Sequence, residues 1–120
     1  TVNLVNGDIK SIRQVLTNLV DNSLKYGIKG GTTEILIKNI SDDKVLVRVI
    51  DNGKGITENH LPRVFERFYR VDENRSRSEG GSGLGLAIVK HIIEAHNEQI
   101  YVESTEGIGS EFAFTLNRSL

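Results

Sequence analysis

Residues 33–51 read TEILIKNISDDKVLVRVID. Two runs, Thr33–Ile40 and Lys44–Asp51, alternate with period two around a polar tip of Ser41, Asp42 and Asp43. Alternating runs rich in Ile, Leu and Val on either side of such a tip predict an antiparallel hairpin. A hairpin decides the fold class. In a doubly wound parallel sheet, strands and helices alternate strictly, and here two strands follow one another.

Upstream of the hairpin, Asp8 precedes Ile9, Ile12, Val15, Leu16, Leu19, Val20 and Leu24. That spacing predicts a helix capped by Asp8 and ending near Tyr26 and Gly27. The first five residues alternate and read as a short edge strand. Downstream, "LPRVFERFYR" (Leu61–Arg70) predicts a short helix with Pro62 in its first turn. Val71 to Ser82 is charged and glycine-rich, hence a loop. Leu84 to Ala95 is apolar on nearly every side and predicts a well-buried helix. Gln99–Ser104 and Ser110–Asn117 predict a closing hairpin across Gly107, Ile108 and Gly109. The order implies an α+β fold: a two-layer α/β sandwich whose mixed or largely antiparallel sheet of about five strands carries three helices on one face.

Composition narrows the function. The chain has 120 residues, no cysteine and a net charge of −1. The length fits one domain, residues 1–120, burying roughly two thirds of its unfolded surface. Thiolate metal sites and disulfides are excluded, and bulk charge does not favour nucleic acid. No run approaches the roughly 18 apolar residues of a membrane span. The first residue is Thr1, which reads as an excised domain.

Four stretches carry candidate chemistry. At about 100° per residue, Asn18, Asn22 and Lys25 share a narrow polar sector of the first helix. A solvated face explains most such sectors, but amide oxygens suit Mg²⁺ and lysine suits phosphate. In "VIDNGKGI", Asn52-Gly53 resembles a hairpin turn, yet no alternating partner strand follows. Asp51 then ends a buried strand ahead of glycines that let a flat ligand approach, and its carboxylate can accept from an exocyclic amine. Five of the eight arginines lie between Arg63 and Arg77. Phe65, Phe68 and Tyr69 would tuck the base of that stretch into the core, leaving Arg70, Arg75 and Arg77 to meet an anion. Finally, "EGGSGLGLAIVKHI" (Glu79–Ile92) is neither a Walker loop nor a dinucleotide fingerprint, because its spacing fits neither. What remains is a helix whose first turn, near Gly83 to Leu86, offers N–H groups and a positive dipole end.

Together and in this order, the stretches resemble the ATP-binding catalytic domain of bacterial sensor histidine kinases. "NLVDNSLKYG" is similar to that family's N box, "DNGKGI" to its G1 box, "FERFYRVD" to its F box and "GGSGLGLAIVK" to its G2 box. "STEGIGSEFAFTL" is similar to its closing hairpin, so the likeness covers essentially the whole chain. The fold implied is the Bergerat sandwich shared with DNA gyrase, Hsp90-type chaperones and MutL-type repair proteins. The resemblance implies that Asn22 holds Mg²⁺ with the nucleotide phosphates, Asn18 and Lys25 stand near those phosphates, and Tyr26 lies near the sugar and base. It implies that Asp51 takes the adenine amino group among Gly53, Gly55 and Ile56. Phe65 and Phe68 would anchor a lid, and Arg70 with Arg75 or Arg77 would reach the phosphates. Gly81, Gly83 and Gly85 would hinge that lid beside Leu84 and Leu86.

The hydrolases of this superfamily carry a glutamate general base one helical turn before the Mg²⁺ asparagine. Here that position is Asn18, which cannot take a proton from water. The resemblance therefore implies γ-phosphate transfer to a histidine on a separate dimerisation domain, expected upstream, and onward signalling to a response regulator receiver domain. It implies no nucleic-acid partner, no membrane contact by this domain and a cytoplasmic location beneath a membrane-anchored parent. His60, His91 and His96 all fall inside the sandwich motifs and read as structural or surface residues. Asn97-Glu98 stands where the family commonly has two glycines, and Asn97 can adopt the left-handed conformation that ends a helix.

Overall fold

The computed structural model describes residues 5–6, 8–25, 27–28, 30–69 and 84–118. The predicted hairpin is present: β2 (Thr33–Asn39) and β3 (Lys44–Asp51) pair antiparallel, from Thr33 opposite Asp51 to Asn39 opposite Val45. β4 (Ile100–Thr105) and β5 (Gly109–Arg118) form the closing hairpin. β5 also pairs with β3, and a two-residue strand β1 (Val5–Asn6) adds to its far end. The sheet order is β1-β5-β3-β2, with β4 alongside β5. Every pairing among the described strands is antiparallel, so of the two arrangements expected the sheet takes the antiparallel one and is not mixed. The two hairpins are joined through β3 and β5, and those strands run in opposite directions.

The alternation in the sequence becomes two faces. Val45, Val47 and Val49 of β3 lie opposite Leu116, Phe114 and Phe112 of β5, and all six are buried. Each such side chain taken from water contributes about 1.5–3 kcal/mol before chain entropy is counted. Helices α1 (Ile9–Lys25) and α2 (Gly85–Ala95) close over this face with Val15 and Leu19 from one and Val89 and Ile93 from the other. Asp8 caps α1 as predicted: Ser11 N–H and Ser11 Oγ–H donate to Asp8 Oδ2 at 3.0 and 2.6 Å. The helices run antiparallel. Asp8 N–H donates to His96 Nε2 at one end, and Asn18 Nδ2 donates to Gly85 O at the other. Asn97 has φ 58°, the predicted left-handed end of α2.

Two expectations fail for physical reasons. The described helices number two, because the 61–69 segment is not an α-helix. Leu61–Arg63 is one 3₁₀ turn, and the amides of Val64, Glu66 and Tyr69 continue with bonds to residues three earlier. Phe68, at φ 65°, lies inside the last of these turns, between Glu66 and Tyr69. α2 is not buried all round: Val89 and Ile93 are enclosed but Ile88 is 40 % exposed, since a two-layer sandwich leaves one side of each helix to solvent. β2 is likewise open. Ile35 and Ile37 face the helix side opposite Val49 and Val47, yet α1 covers β2 only in part.

Candidate functional site

β3 ends at Asp51, and the alternation turns this carboxylate to the helix face, where it is 9 % exposed. Gly53 N–H and Ser110 N–H donate to Oδ1 at 2.9 and 3.3 Å, and Ser23 Oγ–H donates to Oδ2 at 3.2 Å. A carboxylate offers about four acceptor positions. Among the described residues three are filled, which leaves one on Oδ2. Asp51 is also in the wall of a cleft of about 290 Å³, with Ser23, Leu24, Gly27, Ile28 and Asn52. That size approaches the lower end of small-ligand sites, about 300 Å³. A flat group bearing an N–H donor matches both the cleft and the remaining acceptor.

The loop after Asp51 is stitched to the turn between β4 and β5. Ile56 N–H donates to Ser104 Oγ at 2.6 Å, Ser104 Oγ–H donates to Gly109 O at 3.0 Å, and Gly107 N–H donates to Lys54 O at 2.8 Å. At Gly55 and Gly109 the backbones approach so closely that a side chain does not fit. A Cβ on Gly55, at φ +76°, would lie 2.1 Å from Thr105 O, and one on Gly109 would lie 2.0 Å from Asp51 O. On the other wall, Asn52 Oδ1 accepts from Thr32 N–H at 2.7 Å.

The C-terminal half of α1 supplies a second polar group of residues. Asn18 is half-buried between Gln14, whose Nε2 donates to its Oδ1 at 2.7 Å, and the first residue of α2, Gly85. Asn22, one turn on, is half-buried, and its side chain has no hydrogen-bond partner among the described residues. Lys25 closes the helix at the surface. Beside this row, the amides of Gly85, Leu86 and Ala87 open α2 without intrahelical acceptors, at the positive end of its dipole. The described residues contain no group of three or more His, Asp or Glu able to hold a metal ion. A single amide oxygen such as that of Asn22 suits Mg²⁺, which keeps waters and takes its other ligands from substrate phosphates.

A family profile described as histidine kinase-, DNA gyrase B- and HSP90-like ATPase matches residues 7–120. The chain belongs to this ATPase family. It is 44 % identical over 110 residues to the sensor histidine kinase WalK of Bacillus subtilis, covering 91 % of this chain and 18 % of that protein. The structure superimposes on the mycobacterial sensor histidine kinase MprB with a TM-score of 0.84 at 30 % identity, over 95 % of this chain and 76 % of that one. A full-length ShkA structure in complex with AMPPNP matches with a TM-score of 0.84 at 28 % identity, over 98 % of this chain and 24 % of that one. The chain thus spans under a fifth of the length of WalK.

In this ATPase-family domain, hydrogen bonds join Asp51 to Gly53 and to Ser23 of α1, and Asn18 of α1 to Gly85 of α2; Asn22 and Lys25 flank Ser23 on α1, and Leu86 follows Gly85. Leu84 caps α2. Gly55 and Ile56 stand slightly apart: Gly55 is committed to its contact with Thr105, and Ile56 is part of the hydrophobic core. Phe65 meets Phe112 edge-on, at 6.1 Å between ring centroids. Phe68 corrects the expectation of a second buried anchor. It is 68 % exposed, because successive three-residue turns and its own left-handed φ carry it off the face that Phe65 uses. Tyr69 stays partly buried, bonded to His60 and stacked under Arg63. Tyr26, Arg70, Arg75, Arg77, Gly81 and Gly83 lie outside the described residues. No described helix is long and apolar enough to cross a membrane.

Sequence reasoning missed Ser23, Ser110 and Asn52. Ser23 had a legible signal, since it extends the buried row Val15, Leu19 by one more helical turn. A serine there demands a buried partner. Ser110 and Asn52 had none, because their roles depend on which strands become neighbours.

Proposed function

We propose that this chain binds ATP with Mg²⁺ and presents the γ-phosphate to a histidine on a separate helical dimerisation domain, as part of a two-component sensor kinase. The observation that carries the reading is Asp51: a buried carboxylate on a cleft, held by three donors, with one acceptor left for the adenine amino group. Gly53 would let the base approach, and Asn22, Lys25 and the opening amides of α2, tied to α1 by the Asn18–Gly85 bond, would take the triphosphate. Bound Mg²⁺ supplies charge neutralisation for the phosphates. The protein's share of such chemistry is positioning and electrostatics.

Asn18 favours transfer over hydrolysis. Its amide is spent on Gln14 and Gly85 O, bridging two helices, and it offers no base for water. A positioned base typically supplies 10²- to 10⁴-fold, so slow hydrolysis by the chain alone follows. The likeness to sensor kinases supports a response regulator receiver domain as the next phosphate acceptor and a cytoplasmic setting, with residues 1–120 acting as one catalytic domain.

The test mixes the chain with a phosphoacceptor domain of its own kinase and labelled ATP. Acid-labile phosphate on that domain's histidine, with little turnover by the chain alone, is the expected result. Asn22→Ala should abolish the Mg²⁺-dependent part of ATP binding while the fold persists. Rapid steady-state hydrolysis by the isolated chain contradicts the reading.

A further inference from the structure

β2 is the outer strand of the sheet, and no described strand pairs with its far side. Open edges are usually blunted by proline, bulges or short length. β2 has neither proline nor bulge across seven residues that pair without interruption with β3. Its apolar residues are exposed on both faces: Ile35 48 %, Leu36 41 % and Ile37 57 %. Its charged residues are Glu34 and Lys38.

The ladder tells which backbone groups are open. Asn52 N–H donates to Thr32 O, and Ile40 N–H donates to Lys44 O. In an antiparallel ladder the bonded pairs alternate, so even-numbered residues of β2 point their amides and carbonyls at β3. Thr33, Ile35, Ile37 and Asn39 therefore point theirs outward. The sequence of the strand is also self-complementary: Thr-Glu-Ile-Leu-Ile-Lys-Asn around Leu36.

We propose that β2 pairs antiparallel with β2 of a second copy of this chain, about a two-fold axis through Leu36. In that register Glu34 faces Lys38 of the second copy, and Lys38 faces its Glu34. Ile35 faces Ile37 of the second copy, and the two leucines face each other. Outward-pointing groups of Ile35 and Ile37 meet outward-pointing groups, so the ladder closes. A two-fold axis normal to the sheet keeps like faces together. Ile35 and Ile37 of both copies then join on the helix side, in the gap that α1 leaves uncovered. Neighbouring registers lose this match. Centring on Ile35 sets Glu34 against Leu36, and centring on Ile37 sets Lys38 against Leu36. Half-step registers set outward groups against inward ones. Charge complementarity thus selects one pairing and one occupant.

The experiment follows the association of the whole chain by sedimentation equilibrium, with circular dichroism as a control on folding. The wild type should show a reversible monomer–dimer equilibrium. Lys38→Glu places glutamates opposite one another twice per dimer and should raise the dissociation constant by about tenfold or more. The double exchange Glu34→Lys with Lys38→Glu rebuilds the same pairs and should return it to within about threefold. Because the chain has no cysteine, Leu36→Cys gives a clean cross-link. Facing residues that are not hydrogen-bonded sit about 4.5 Å apart at Cα, within the roughly 4.4–6.8 Å a disulfide spans. Leu36→Cys should form disulfide-linked dimers where Ser41→Cys, at the hairpin tip, does not. A wild type that stays monomeric, with no cross-link above the Ser41→Cys control, overturns the proposal. So does a dimer that ignores Lys38→Glu, or one that the double exchange fails to restore.

Discussion

Each end of β3 meets a buried carboxylate, Glu98 from the connection after α2 at its start and its own Asp51 at its end, and the two are held in opposite ways. At its start, Lys44 donates to both oxygens of Glu98 at 2.8 and 2.6 Å, and Thr115 Oγ1–H adds a third bond to Oε1 at 2.8 Å. Glu98 is 6 % exposed and is electrically matched where it sits. At its end, Asp51 is equally enclosed and, among the described residues, its partners are two amides and a hydroxyl. Burial of a charge without a cation is costly unless something later compensates it. Glu98 is therefore a structural clasp between β3 and the end of α2. Asp51 is a site that keeps capacity for a ligand. The contrast shows that burial alone does not mark function; the marker is an acceptor left open on a cleft.

The largest expected effect strikes the clasp. Glu98→Ala leaves Thr115 and Lys44 without their acceptor and should lower folding stability by about 2 kcal/mol, discounted because Lys44 reaches solvent. Lys44→Met combined with Glu98→Leu should recover most of the loss, since an apolar pair replaces an ionic one at little cost. Nucleotide affinity of the folded protein should not change in either case. Thermal denaturation and titration of an ATP analogue check both halves, and a matching fall in affinity would erase the distinction between the two ends.

A smaller effect strikes the site's support. Ser23→Ala removes one of the three donors to Asp51 and should cost about 1 kcal/mol of stability. Gly53 and Ser110 still hold Oδ1, so analogue binding should weaken by less than about tenfold. Loss of all binding would mean that Ser23 touches the ligand itself.

The smallest effect concerns a third carboxylate, at the surface. The hydroxyl of Ser11, then its amide, hold the Asp8 carboxyl below the usual aspartate range. A depressed folded value stabilises the protein above the unfolded pKa, about 3.9, and that contribution fades as pH falls through the lower folded value. Asp8→Asn keeps a cap without the titration. The stability gap between wild type and Asp8→Asn should therefore shrink as the pH drops below about 4. Thermal melts across that range check it, and a constant gap means that the charge of Asp8 contributes nothing.

Much of this organisation is legible in the amino-acid sequence. The alternation through Thr33–Asp51 identifies the hairpin, Asp8 marks the start of α1, and Asn97 marks the end of α2 because few residues tolerate that turn. Asp51 is visible as a charge ending an apolar strand. The parts that stayed hidden depend on contacts distant in sequence. Ser110 reaches Asp51 across 59 positions, and Glu98 finds Lys44 across 54. No local pattern announces either. The 61–69 segment misled for another reason: its apolar spacing fits an α-helix, but after Pro62 its backbone settles into three-residue turns, and Phe68 swings outward.

The central claim is that Asp51 recognises the adenine amino group, and Asp51→Asn tests it most directly. The variant's Oδ1 can still accept from Gly53 and Ser110, so the fold should remain. Its Nδ2 would present a donor where the amine needs an acceptor. Calorimetric titration of wild type and variant with a non-hydrolysable ATP analogue and Mg²⁺ should show a loss of about 1.5–3 kcal/mol of binding, the scale of a charge-assisted hydrogen bond. Wild-type affinity in a well-folded Asp51→Asn protein would contradict the account.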